Sequence, residues 1–315
     1  MNGTQREDEA GARSGATAGG ASGSTRVSTA GSSAGSTDER MSAFLRDRFE
    51  AHRTLPPCPS PADVEAWFDD LLGLTFPELG ERDFADEGAF LAHAMELRDR
   101  CARLVDRCPS GGEERSRSVA GALHERLPEL HAALEEDAGA ILQGDPAARN
   151  RDEVIRTYPG FRAIAGYRVA HALHQSGVPL LARMVSAYAH RTTGIDIHPA
   201  ARIGRRFCID HGTGVVIGAT AIVGDDVKIY QAVTLGGLSV RKEDAKVKRH
   251  PTIEDRVVLY AGATILGGST VVGHDSVIGG NVWLTRSVPP YSKVSYRASI
   301  ATGDVRDEGS EPEAT

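Results

Sequence analysis

Three short stretches gather the residue types able to move protons. They are Gly194-Ile195-Asp196-Ile197-His198-Pro199, Ile209-Asp210-His211-Gly212-Thr213-Gly214 and Lys248-Arg249-His250-Pro251. An imidazole titrates near neutral pH, so histidines flanked by carboxylates are candidates for general acid–base chemistry. By sequence spacing His211 falls in the register that later holds Ile217, Val223, Ile229 and Leu235, interrupting an aliphatic column. The column is only beginning there and Arg205 precedes it, so position alone leaves a structural and a functional reading open.

The elements that must position these residues announce themselves by period. Counting by six from Ile197 gives Ile197, Ile203, Ile209, Val215, Ala221, Val227 and Val233. After an interruption the count resumes at Ile253, Leu259, Ile265, Val271, Val277 and Trp283. A half-buried strand repeats every two residues and a helix every 3.6; a period of six marks a hexapeptide parallel β-helix, with three hexads to a triangular coil of about 18 residues. Stacked coils bury a ladder that no single coil could bury alone. The same period rules out a membrane helix over the uncharged run Val257 to Gly273. Gly236 to His250 is too basic to lie inside the prism and must loop out, where function is often carried.

Upstream, residues 38–193 read as helical. Ser60-Pro61 is a helix start, Phe84 to Cys108 one long helix, and Pro128 a break within Glu113 to Leu142. Phe161 to Gln175 and Leu180 to Arg191 carry apolar residues at three- and four-residue spacing. The expected architecture is therefore α+β: an N-terminal all-helical domain, then a left-handed parallel β-helix over 194–290 with a loop inserted at 236–250. The first 37 residues are a low-complexity tail, with 24 of the 27 from Gly11 to Thr37 being Gly, Ala, Ser or Thr, and are expected to be disordered. Residues 291–315 are read as a C-terminal tail, short and acidic from Asp304 to Thr315.

Composition narrows the function. A net charge of −7 over 315 residues argues against a nucleic-acid partner. Four cysteines without a C-x-x-C pair fit a reducing compartment, and no apolar leader stands at the N-terminus, so a cytoplasmic protein is expected, with no membrane partner.

The motifs in order and spacing make the resemblance specific. Gly194-Ile-Asp-Ile-His-Pro-Ala-Ala-Arg-Ile-Gly204, Asp210-His-Gly-Thr-Gly214, Val233-Thr-Leu-Gly-Gly237 and Arg249-His-Pro-Thr-Ile253 resemble the serine O-acetyltransferase family, from about Asp145 to Pro290 and including the helical run Tyr158 to Gly177. The resemblance implies acetyl transfer from acetyl-CoA to the hydroxyl of L-serine, for cysteine biosynthesis, without a metal. It implies His211 as general base, Asp196 as the carboxylate that orients it, and His250 as a second active-site histidine. Arg249 would meet the substrate carboxylate, and Asp210 and Asp145 its ammonium. An Asp-Pro pair also commonly starts a helix, an equally good account of Asp145. Gly236, Gly237 and the small residues Ala261, Gly267, Gly273 and Gly279 would let a pantetheine arm approach the backbone, with Lys293 toward the phosphates; coil-corner packing explains the small residues as well.

A homotrimer or a dimer of trimers is implied. The segment from Gly237 to Arg249 lacks the Thr-Gly-Lys of the best-known members and resembles the long-loop subgroup. The family's sulfhydrylase-docking tail ends in isoleucine where this sequence ends Glu313-Ala314-Thr315, so a sulfhydrylase complex is doubtful. Three rivals are weighed: a hexapeptide acetyltransferase acting on another small hydroxyl or amine, a structural β-helix subunit, and a β-helical zinc enzyme. The last requires an H-x-x-x-x-H pair, absent among His198, His211, His250 and His274.

Overall fold

The computed structural model describes residues 37–109, 111–238 and 247–296. The low-complexity tail up to residue 36, the middle of the expected loop and the C-terminal tail beyond 296 lie outside the described residues. The chain divides into two compact units, Met1–Leu55 and Pro56–Thr315. The first holds α1 (Thr37–Thr54), with Asp38 and Glu39 in its first turn and His52 and Arg53 in its last, the charge order that complements a helix dipole.

The second unit begins with helices: α2 (Pro61–Thr75), α3 (Glu87–Asp106), α4 (Glu113–Glu125), α5 (Leu127–Gly144), α6 (Arg151–Thr157), α7 (Pro159–Gln175) and α8 (Pro179–Thr193). Ser60 caps α2, its hydroxyl accepting from Asp63 N–H at 3.1 Å, with Pro61 in the first turn as read from sequence. Helix α3 starts three residues later than expected because Asp86 accepts from Ala89 N–H at 2.7 Å and so sets the boundary. Pro128 does mark a break, sitting in the first turn of α5.

Helix gives way, among the described residues, to fourteen short strands: β1 (Asp196–Ile197), β2 (Arg202–Ile203), β3 (Cys208–Ile209), β4 (Val216–Ile217), β5 (Ile222–Val223), β6 (Lys228–Ile229), β7 (Thr234–Gly236), β8 (Thr252–Ile253), β9 (Val258–Leu259), β10 (Thr264–Leu266), β11 (Val271–Val272), β12 (Val277–Ile278), β13 (Trp283–Leu284) and β14 (Lys293–Val294). They form three parallel sheets: a first face β1-β4-β7-β10-β13, a second β2-β5-β8-β11 and a third β3-β6-β9-β12-β14. The interior is the expected aliphatic ladder, with Ile209, Ile229, Leu235, Ile253, Leu259 and Ile265 fully buried.

The count by six slips twice. On the first face Asp196 pairs with Val216, Val216 with Thr234, Thr234 with Thr264 and Thr264 with Trp283, so successive coils run 20, 18, 30 and 19 residues. The two extra residues of the first coil lie between β3 and β4. They lift His211 out of the interior column onto a corner; the inward residue there is Ile217. One extra residue follows Leu266, so Val272 and Ile278 point inward, while Val271 and Val277 face out and Trp283 is 61% exposed. Both sequence registers are buried: Ile217, Val223, Ile229 and Leu235 point inward from the strands, while Val215, Ala221, Val227 and Val233, which continue the count from Ile197, are buried at the corners immediately before each strand.

The free edge of the first coil would expose unpaired carbonyls. Helices α7 and α8 cover it with side chains. Ser186 donates to Ile197 O at 2.7 Å, Tyr167 to Ala201 O at 2.8 Å and Arg168 to Gly204 O at 2.9 Å, and the His171 ring meets Pro199 O at 2.7 Å. Arg168 also forks onto Asp137 of α5, which is fully buried and accepts from Phe207 N–H at 2.9 Å. Gly160 lets the start of α7 lie on β3; a Cβ there would stand 3.1 Å from the carbonyl carbon of Ile209.

Candidate active site

The corner between the third and first faces is built by the two-residue insertion in Asp210–Gly214. His211 adopts φ +57°, a left-handed conformation that costs a side-chain-bearing residue on the order of 1 kcal/mol. Gly212 and Gly214 share that sign of φ, and a Cβ on Gly212 would press within 2.8 Å of Ile209 Cγ2. The result is an outward His211 whose side chain is 72% exposed, beside an Asp210 that is buried.

Asp210 is held between two basic side chains. Its Oδ1 lies 3.8 Å from His211 Nε2, and its Oδ2 lies 3.2 Å from Lys228 Nζ on the coil above. Lys228 donates to Gly144 O at 2.6 Å and sits 4.4 Å over the Tyr230 ring, which stacks on Tyr260 at 5.0 Å. Burial alone would lower the Lys228 ammonium, but its contacts with Tyr230 and Asp210 hold it above the ordinary lysine value.

Asp145, which the Asp-Pro reading would have placed at a helix start, instead ends α5 in extended conformation. Its carboxylate accepts from Tyr158 OH at 2.6 Å and Ala147 N–H at 2.9 Å. The Tyr158 bond, then the Ala147 bond, hold it below the usual carboxylate range, with the charges of Lys228 and His211 adding to this. In return Tyr158 is pushed up to about 12.

A second cluster occupies the corner between the first and second faces. His250 is buried; its Nδ1 accepts from Thr220 N–H at 3.1 Å and lies 2.8 Å from Thr220 Oγ1. That oxygen also accepts from the backbone N–H groups of Arg249 (2.9 Å) and His250 (3.0 Å). Burial, then the charges of Arg249 and Lys248, lower the His250 pKa. Because Nδ1 accepts from the Thr220 N–H, Nε2 is the ring nitrogen placed to carry the proton. Two glycines make room. A Cβ on Gly218 would overlap the His250 ring, and one on Gly268 would stand 2.9 Å from Arg249 N.

Asp196 lies on β1, on the face that separates these corners, and among the described residues no hydrogen bond or ion pair joins its carboxylate to His211. One chain thus unites Asp145, Asp210 and His211, and separately Arg249 and His250. Of the residues expected to meet the cofactor, Gly236 and Gly237 lie at the first–second corner. Ala261 and Gly279 lie on successive coils at the third–first corner, one position out of register, since Ile278 pairs with Leu259; there Asn281 N–H donates to Ala261 O at 2.9 Å and Gly279 N–H to Val294 O at 2.8 Å. Lys293 lies on β14 of the third face. Gly267 and Gly273 fall on other corners, so six-residue spacing traces a path around the prism rather than one column.

Tyr158, Lys228, Thr220 and Gly218 were not singled out from sequence. Lys228 alone carried a signal: its stacked neighbours on the third face are Cys208 and Val258. Among the described residues no group of three His, Cys, Asp or Glu is placed to hold a metal, and no helix is long and apolar enough to cross a membrane.

A triangular parallel β-helix with an exposed imidazole and two carboxylates clustered at one corner fits the class of hexapeptide-repeat acyltransferases. No family model matches the chain, but individual proteins do. The plasmid serine acetyltransferase of Synechococcus elongatus is 52% identical over 193 residues, 60% of this chain and 60% of that protein. The serine acetyltransferase of Helicobacter pylori is 55% identical over 127 residues, 40% of this chain and 72% of that protein. Serine acetyltransferase 1 of Entamoeba histolytica, solved in complex with L-cysteine, matches with a TM-score of 0.67 and 36% identity, over 73% of this chain and 86% of that one. The chain belongs to the serine acetyltransferase family, and its fold is that family's left-handed parallel β-helix preceded by helices.

Proposed function

We propose that the protein transfers acetyl from acetyl-CoA to the hydroxyl of L-serine, giving O-acetylserine for cysteine biosynthesis, with His211 as general base. The observation that carries this is the corner itself: an exposed imidazole 3.8 Å from a buried carboxylate, with a second ionised carboxylate, Asp145, in the same cluster. The His211 ring takes the serine proton as the oxygen attacks the thioester carbonyl. The tetrahedral intermediate collapses, the C–S bond breaks, and the imidazolium returns the proton to the leaving thiolate. Asp210 and Asp145 meet the substrate ammonium, Arg249 its carboxylate, and His250 offers Nε2–H as a neutral donor. Asp196 supports the imidazolium once substrate draws the ring inward. The pantetheine arm runs past Gly236, Gly237, Ala261 and Gly279, and Lys293 meets phosphate.

His211 and His250 sit at opposite edges of the first face, roughly 15 Å of extended backbone apart. A complete site therefore takes Arg249 and His250 from a neighbouring copy, which supports a homotrimer, alone or paired. Four unpaired cysteines, three of them buried, support a reducing cytoplasm. Acetyl-CoA consumption followed by thiol release, with a panel of amino acids and simple alcohols, tests the reading. Serine is expected to exceed every other acceptor by at least tenfold. Equal rates with unrelated alcohols would refute it.

A further inference from the structure

We infer that Lys228 is a positioning residue for acceptor recognition: it ties Asp210 of the β-helix to the Asp145 end of α5, fixing the two carboxylates as one ammonium-binding pair. This rests on the function proposed above.

The geometry is that of a tether. Lys228 rises from β6 directly above Cys208 and reaches two acceptors from different parts of the fold, Asp210 Oδ2 at 3.2 Å and Gly144 O at 2.6 Å. Gly144 closes α5 and immediately precedes Asp145. The carbonyls at a helix C-terminus lack intrahelical donors and favour a cation, so the Gly144 bond is a natural anchor. A Cβ on Gly144 would stand 3.1 Å from Cys208 Sγ and 3.6 Å from both Lys228 Cδ and Nζ, so the helix end lies on the lysine stem. The Tyr230 ring beneath Nζ, itself stacked on Tyr260, limits where the ammonium can go. Two carboxylates facing one substrate ammonium carry a surplus negative charge, which Lys228 balances in place.

The tether predicts a specific defect. Without the ammonium, a buried Asp210 is left uncompensated, and Asp145 loses the anchor that sets its distance from Asp210. The test compares wild type, Lys228→Met and Lys228→Arg in the full-length protein, with L-serine and with 3-hydroxypropanoate, which lacks the ammonium. Loss of a charge-assisted contact corresponds to a KM for serine raised about 10- to 100-fold in Lys228→Met. The KM for acetyl-CoA and the kcat/KM for 3-hydroxypropanoate are expected within about threefold of wild type, and Lys228→Arg is expected to recover most of the serine KM. An equal loss with both acceptors would reduce Lys228 to a structural role and overturn the inference. So would a lower serine KM in Lys228→Met, which would make the lysine a competitor of the substrate. If wild type itself fails to prefer serine over 3-hydroxypropanoate, the proposed function falls, and this inference with it.

Discussion

Replacing Gly218 by alanine places one methyl group against the His250 ring. The added Cβ would stand 2.7 Å from Cε1 and closer still to Cδ2 and Nε2. Ordinary carbon contacts begin near 3.5 Å, so the ring must retreat by at least about 1 Å. It cannot do so and keep its bonds, because Nδ1 is fixed by Thr220 N–H at 3.1 Å and Thr220 Oγ1 at 2.8 Å. Overpacking of this kind costs about 1–3 kcal/mol. For a unit of this size that is a Tm lower by roughly 3–10 °C. A catalytic group displaced by 1 Å costs on the order of 10²-fold in rate. Gly139→Ala is the matched control, since nothing lies within 4 Å of its Cβ in α5, and it should raise stability by up to about 1 kcal/mol. The assay is kcat/KM by thiol release, with melting followed by circular dichroism and oligomeric state by light scattering. If Gly218→Ala melts lower yet keeps kcat/KM within twofold of wild type, then the position of His250 does not matter to the reaction.

Three further outcomes follow from the same geometry. His211→Ala should lower kcat by roughly 10²–10⁴ without changing the oligomer, the usual contribution of a general base; near-normal turnover would exclude it from that role. Arg168→Met should strand the buried Asp137 carboxylate and cost about 3–5 kcal/mol, read as a large drop in denaturant midpoint. Burial, then the charges of Arg183 and His174, lower His198 to about 4. A histidine depressed in the folded state binds more protons when unfolded, so its stabilisation is complete above about pH 6.5 and is lost as pH falls toward 4. The Tm should therefore drop across that window, and His198→Gln should flatten the slope; an unchanged slope would remove His198 from the account.

The period of six made the β-helix legible because aliphatic side chains must recur wherever a strand faces the interior. The irregularities escaped the count for the same reason. Val215 and Ile217 are both buried, so a slip of two residues leaves a plausible apolar residue in either register. His211 looked like an interior interruption, although the extra residues had moved it to the surface. Trp283 was counted inward because one glycine-rich corner, Gly267-Gly268, holds a residue more than the others. The candidate residues Asp210, His211, Arg249 and His250 stood out through their motifs, and the fold clusters Asp210 with His211. What joins them was not: Lys228 meets Gly144 across 84 positions, and Tyr158 meets Asp145 only because α5 and α6 fold back on each other. Such contacts belong to the tertiary structure and leave no local period.

The covering of the first coil by α7 and α8 bears on how the chain comes to be folded. Strands of a solenoid gain partners only from the adjacent coil, so the first coil has nothing to grow on. Here it grows on helices, whose hydroxyl, phenol, guanidinium and imidazole groups occupy the places that a preceding coil would fill. Those helices are synthesised first, and N-terminal segments fold first during translation. The ribosome thus releases the template before the strands that need it. A coil added in the order of synthesis would then find a finished rung beneath it, the first one included.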